Sequence, residues 1–318
     1  MDYNDFASDL PVNDRISFPS VEENEEFMQN HGINQQVKQL GKGSFRADYA
    51  MLDSNSALLA ADRFNQACSV YLEPPQDTVA FLVFRSAGGQ FLASGQNVAN
   101  DKLVVLPGGQ GVDLVSPNLA GSDAIIIPKS RCAELMQVIC PSCAQSDGMA
   151  ILQGDTRQLH GIRHAAIKAI SDTRTSHSEI ANLVAHMIAW AGHSASDVTP
   201  EFLYRQQSKA RIARLVQSYI EEHYHEAILI EDLCRATGKE VRTLQRCFRL
   251  YFDNTISGYL KIVRLNAAHR ALSSARPDEE TVASIALQNG FNHLGRFSVD
   301  YRKHFGESAK ETLAALRP

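Results

Sequence analysis

Long apolar runs are missing from this sequence: no stretch approaches the roughly 18 consecutive apolar residues that a membrane-spanning helix needs. The opening residues MDYNDFASDLPVND carry neither the basic start nor the apolar centre of a secretory leader, so the reading is a cytoplasmic protein without a membrane partner. Histidine is absent from residues 39–128. That removes the two or three imidazoles with which a strand-built pocket holds a catalytic metal, and neither a metal nor a cofactor is expected. No Ser-His-Asp motif and no Walker-type glycine loop is present. Gly108-Gly109-Gln110-Gly111 precedes a strand-like run rather than a helix and reads as a turn. An enzyme is therefore not the expected class. Cysteine is sparse, six in all, and in a cytoplasmic setting reduced. Cys140-Pro-Ser-Cys143 has redox or metal spacing, but no second CxxC or His pair follows, so structural thiols are the favoured reading over a redox or metal role. Cys234 and Cys247 fall at apolar helix positions.

What is present divides the chain. Its 318 residues suit two domains better than one. The net charge of −5 is unevenly spread: residues 209–318 hold 17 Lys and Arg against 13 Asp and Glu, while the remainder holds 14 against 23. A basic excess confined to one end is the distribution that contact with a polyanion requires, although many solvated helices reach it. Residues 1–30 are rich in Asp, Glu, Asn and Ser and read as a flexible acidic tail, with a short helix near 21–30. From about 39 to 128, short apolar or alternating runs (45–52, 56–61, 69–72, 79–85, 89–93, 102–106, 112–115 and 124–127) are cut by Gly, Pro and Asn turns. That pattern predicts a β-sandwich or small barrel able to hold one ligand. Helices are expected over 130–139, 156–171 and 176–191. The last opens with a Ser176/Glu179 capping box and carries Ile180, Leu183, Val184, Met187, Ile188 and Ala191 on one face. That face suits either its own barrel or a second copy of the chain, and a homodimer through 156–191 is the expectation. The polar, Pro-containing stretch 193–208 reads as a linker, leaving a domain at 31–192 and another at 209–318.

The C-terminal stretch is all-helical in pattern and repeats one arrangement twice. Helices over 230–236 and 240–251 flank Thr237-Gly238-Lys239. Helices over 282–288 and 294–304 flank Asn289-Gly290-Phe291, and a long amphipathic helix over 256–273 joins the pairs. Each glycine supplies the left-handed residue that a tight turn between helices needs. This is a tandem helix-turn-helix, which can set two helices into successive major grooves of double-stranded DNA. Arg242, Gln245, Arg246 and Arg249 on the second helix of the first pair are side chains that bond guanine, adenine or phosphate, although Arg249 taken singly suits a solvated surface role.

Here the residues resemble a known family. RTLQRCFRLYF, YLKIVRLNAAHRAL and VASIALQNGFNHLGRFSVDYRKHFGES, in that order and at that spacing, are similar to the AraC/XylS family of bacterial transcription regulators. The match rests on Leu244-Gln245-Arg246 with Phe248, Arg264-Leu265 with Ala268 and Leu272, Ile285-Ala286, Gly290-Phe291, and Phe297 with Phe305-Gly306. The resemblance implies a bihelical DNA-binding domain, direct-repeat-like half-sites, transcription activation with RNA polymerase as partner, and a cupin-like N-terminal effector domain. Carried over by position, the base-facing residues are Glu240, Arg242, Gln245 and Arg246 in the first unit, and Leu294, Gly295, Arg296 and Val299 in the second. A Ser is common in the family where Gly295 stands, and an Arg where Val299 stands. The second unit is therefore expected to read fewer bases and to lean on Arg296, Ser298 and Arg302 at phosphates or on DNA shape. In the N-terminal domain, Arg46, Tyr49, Arg63 and Arg85 are the candidates to line a pocket for an anionic or planar small-molecule effector. The competing reading is a barrel that only dimerises.

Overall fold

The structure is a computed structural model that describes residues 1–11, 14–133, 149–172, 174–194, 200–275 and 280–315. The chain forms two compact units. One comprises Met1–Val37 with Arg46–Tyr204, the other Lys38–Phe45 with Arg205–Pro318. No described helix is long and apolar enough to cross a membrane.

The first unit is a two-sheet antiparallel sandwich. Its strands are β1 (Ile16–Phe18), β2 (Asn34–Gln39), β3 (Ala47–Asp53), β4 (Leu58–Phe64), β5 (Cys68–Glu73), β6 (Thr78–Ser86), β7 (Phe91–Ala93), β8 (Gln96–Val98), β9 (Lys102–Pro107), β10 (Val112–Ser116), β11 (Ala120–Pro128) and β12 (Ala150–Gln153). One sheet runs β1-β3-β4-β11-β6-β9-β12, the other β2-β5-β10-β7-β8. Strand alternation gives the larger sheet two faces. On one face Leu59, Ala61, Phe81, Val83, Leu103, Val105, Ile125 and Ile127 pack against helices α3 (Thr156–Ser171) and α4 (His177–Ser194). The apolar face expected to pair two chains is consumed here. Ile180, Leu183, Val184, Met187 and Ala191 are buried in this core with Ile188 packed against it, so this face of α4 covers its own sheet and is not open to a second copy.

Residues 1–30 are not a free tail. Helix α1 (Tyr3–Phe6) and the turn after it bury Phe6, Ala7 and Leu10, and α2 (Val21–Asn30), capped by Ser20, buries Val21, Asn24 and Met28. The stretch read as a linker is helical at its described ends: α4 runs to Ser194, and α5 (Pro200–His223) opens on the proline taken as a breaker. Proline suits a first helical turn, where its missing N–H has no partner to lose. Of the helix expected at 130–139, Lys129–Arg131 is a 3₁₀ turn and the part from residue 134 lies outside the described residues, as do Cys140 and Cys143.

The second unit holds α5, α6 (Ile230–Thr237), α7 (Val241–Phe252), α8 (Ile256–Ser274), α9 (Val282–Gln288), α10 (Leu294–Phe305) and α11 (Ala309–Ala314). It also holds residues 38–45, far away in sequence. The side-chain amide of Asn266 accepts from the Gln39 backbone N–H at 3.0 Å and donates to the Gln39 carbonyl at 3.1 Å. His304 Nε2 lies 2.9 Å from the same carbonyl, the Gln39 side chain donates to the His304 carbonyl at 3.1 Å, and Lys38 pairs with Glu221 at 2.9 Å. The sandwich domain expected to run unbroken over 31–192 therefore lends an eight-residue strap to the helical unit.

Candidate nucleic-acid interface

Two helix pairs, α6–α7 and α9–α10, flank the long helix α8. Gly238 closes α6 at φ +65°, and Gly290 follows α9 at φ +79°. Gly290 is also a close approach: a Cβ there would stand 2.8 Å from Arg264 Nε and 3.0 Å from the Tyr224 carbonyl. Arg264 donates to the Tyr224 and Glu226 carbonyls, both at 2.6 Å, so it ties α8 to the end of α5. The aromatic seam expected behind the second pair is present, with Phe291, Phe297, Tyr301 and Phe305 in successive ring contact at 4.8, 5.4 and 4.7 Å.

Helices α7 and α10 are copies of one plan. Each has twelve residues. Aligned at Val241 and Leu294, buried Leu244, Phe248, Tyr251 and Phe252 fall opposite buried Phe297, Tyr301, His304 and Phe305. Both end on a left-handed residue, Asp253 or Gly306. At about 100° per residue, the direction opposite each buried set marks the line that projects furthest from the domain. On α7 it runs through Arg242 and Arg246, with Gln245 and Arg249 beside it. On α10 it runs through Gly295 and Val299, with Arg302 on its flank.

The two lines differ in how free their side chains are. On α7, Arg242, Gln245 and Arg246 are exposed, and among the described residues no hydrogen bond or ion pair engages them. With Arg249 they line a concavity of about 750 Å³, with Thr255, Ile256 and Ser257 at the start of α8 on its wall. Three guanidinium groups beside the positive end of a long helix make a surface suited to phosphate and to guanine edges. Glu240 is the N-cap residue of α7 but makes no side-chain cap, leaving its carboxylate outward. On α10 the candidates are partly engaged. Ser298 donates to the Leu294 carbonyl at 3.0 Å, and Arg296 lies 3.9 Å from Asp300, which pairs with Lys261 at 2.6 Å. Asp300 is thus neutralised by α8 rather than left as a bare charge toward DNA. Arg302 is exposed. Sequence reasoning named Arg249 beside these residues but favoured a solvated surface role for it, and it passed over the first turn of α8.

The four effector candidates do not gather into one pocket. Register places Asp48 opposite Arg63 and Tyr49 opposite Asp62, so Tyr49 and Arg63 point to opposite faces of the sheet. Arg63 is fully buried on the helix-covered face, where it donates to Asp9 and Asp123 at 2.8 Å each; Arg85 pairs with the same Asp9. Arg46 pairs with Asp48 at 3.2 Å. Tyr49 is buried between the sheets, its hydroxyl 3.3 Å from Gln35 Nε2. Burial first, then the nearby Asp62, pushes its phenol well above the usual range. Three of the four are held by carboxylates of the chain itself.

Comparison with known proteins agrees with the geometry. A helix-turn-helix domain model matches residues 233–315. The chain is 36% identical over 105 residues to a probable thc operon regulatory protein of Rhodococcus erythropolis, covering 33% of this chain and 32% of that protein. It is 33% identical over 101 residues to XylDLEGF operon transcriptional activator 2 of Pseudomonas putida, covering 32% of this chain and 64% of that one. The chain thus spans about a third of the first relative and under two thirds of the second. A solved structure of a probable AraC family transcriptional regulator from Rhodopseudomonas palustris is 36% identical, with 34% of this chain and 99% of that chain covered and a TM-score of 0.32. The matched sequence and the tandem helix pairs agree: residues 233–315 form a helix-turn-helix domain similar to those of AraC/XylS-type regulators.

Proposed function

We propose that the protein is a sequence-specific transcription activator that docks α7 and α10 in successive major grooves, on the order of 34 Å apart along one face of the duplex. The observation that carries this is the outward line of α7, where Arg242, Gln245 and Arg246 stand exposed with no partner among the described residues. They lie beside the dipole-positive start of α8. Contact with RNA polymerase follows from activation and belongs to the same proposal. The test is selection from randomised duplexes with the full chain, followed by footprinting of Gln245→Ala. Unchanged affinity and base preference in that variant would count against α7 as the reading helix.

A small-molecule effector in the sandwich unit is the proposed control. One observation favours the rival, a sandwich without an effector: Arg63 and Arg85 already hold Asp9 and Asp123. Thermal melting of the full chain against metabolites and nucleotides separates the two, since a ligand of the folded state raises the midpoint. A homodimer, if formed, uses a surface other than the buried face of α4.

A further inference from the structure

We infer that the second helix-turn-helix reads thymine through its 5-methyl group, with Val299 as the side chain in contact. The inference rests on the DNA-binding reading above and goes beyond it by naming what the second unit recognises. Val299 is 67% exposed, although it is β-branched and apolar. Single exposed apolar residues are ordinary on a surface. This one stands on the outermost line of α10, opposite Phe297, Tyr301, His304 and Phe305, and at the position that Arg246 occupies on α7. The residue one turn before it, Gly295, matches Arg242 and has nothing within 4 Å of where a Cβ would be. The position matching Gln245 is Ser298, whose hydroxyl is turned back to the Leu294 carbonyl at 3.0 Å. Arg, Gln and Arg in the first unit are thus replaced by Gly, Ser and Val in the second.

The chemistry of the groove decides what such a surface can recognise. Every base edge in the major groove offers hydrogen-bonding groups, and only thymine adds an apolar one, the C5 methyl. Valine set against a guanine or cytosine edge strips water from polar groups and returns no hydrogen bond. Set against thymine it buries two apolar surfaces. Gly295 allows the helix to lie close to the base edge, and Arg302 and Lys303 remain exposed for phosphates. Arg296, drawn toward Asp300, does not compete for the same edge.

The test uses the full chain and the duplex recovered by selection. Each thymine of the second half-site is replaced singly by deoxyuridine, which removes the methyl and leaves pairing intact. One replacement should weaken wild-type binding roughly three- to five-fold, the effect of losing about one buried methyl. Val299→Ala should bind the thymine and uracil duplexes about equally, while Gln245→Ala should keep the thymine preference. Val299→Arg should move the preferred base at that position toward guanine. The inference is overturned if selection returns no thymine there, if no deoxyuridine replacement matters, or if Val299→Ala loses as much on uracil as the wild type does. Failure to select any sequence would instead overturn the DNA-binding reading itself, and the two failures are told apart by the selection alone.

Discussion

Single residues carry opposite burdens in the two units. Gly290 satisfies two demands, a left-handed φ of +79° and a backbone approach in which a Cβ would meet Arg264 and the Tyr224 carbonyl. Gly290→Ala should therefore destabilise the protein by about 1–3 kcal/mol, measured by denaturant unfolding, with the larger values if Arg264 is displaced from its carbonyls. Asp62 is an expensive residue of a different kind. Burial pushes its carboxyl up to about 6, opposed by hydrogen bonds from the Ser122 hydroxyl and backbone N–H and by the charge of Arg63. Its pKa is higher folded than unfolded, so the folded state binds more protons between about 4 and 6, and this group's contribution to stability falls as pH rises through that window. Asp62→Asn should remove the slope and raise stability at pH 7 by about 1–3 kcal/mol in pH-dependent thermal melts. None of this is visible in composition: Asp62 reads from sequence as one more surface acid on a strand. Nor is the fate of Arg63 and Arg85. An arginine on an alternating strand looks equally like a ligand-binding group or the buried partner of an aspartate from residue 9.

At the scale of elements, what was legible followed from period. The eight expected strands all form because alternating apolar residues and Gly/Pro/Asn turns act locally. The four missed strands are polar, β2 (NQQVKQ) and β8 (QNV), or short, β1 (ISF) and β12 (AILQ); partners fix such strands where propensity does not. Helices α6 to α10 were legible for the same local reason, whereas the start of α5 was read as linker and α11 was not expected. Illegible from the pattern was which apolar face meets which surface. The face of α4 is the clear case, since a stripe at 3.6 spacing looks the same whether it packs on its own sheet or on a partner. The acidic start was misread because composition outweighed spacing, although Phe6, Ala7 and Leu10 already mark one face. The two reading helices predict different mutational signatures. Arg242→Ala or Arg246→Ala should cost about 1–3 kcal/mol on the selected site and relax base preference. Arg302→Ala should weaken binding to all sequences alike and lower the salt slope by about one, read from titrations over a range of salt.

For the molecule as a whole, charge and protonation are divided between the units. Burial pulls the His304 imidazole down to about 4, partly opposed by its bond to the Gln39 carbonyl. The folded form keeps it neutral where the unfolded chain would protonate it. Its contribution to stability is therefore complete above about 6.5, is lost as pH falls from there toward 4, and stops changing below that. A cooperative loss of helical signal across that window, removed in His304→Gln, is the expected result.

That histidine also gives the strap a practical consequence. A fragment begun at Lys209 keeps every residue of both helix-turn-helix pairs and discards Gln39, so Asn266 Oδ1 and His304 Nε2 lose their partner, while Asn266 Nδ2 keeps only the Ile262 carbonyl. Dissecting the chain at the obvious border would yield something other than the native helical half: it should melt earlier and titrate nearer neutrality. A synthetic octapeptide copying 38–45, added in trans, ought to repair it.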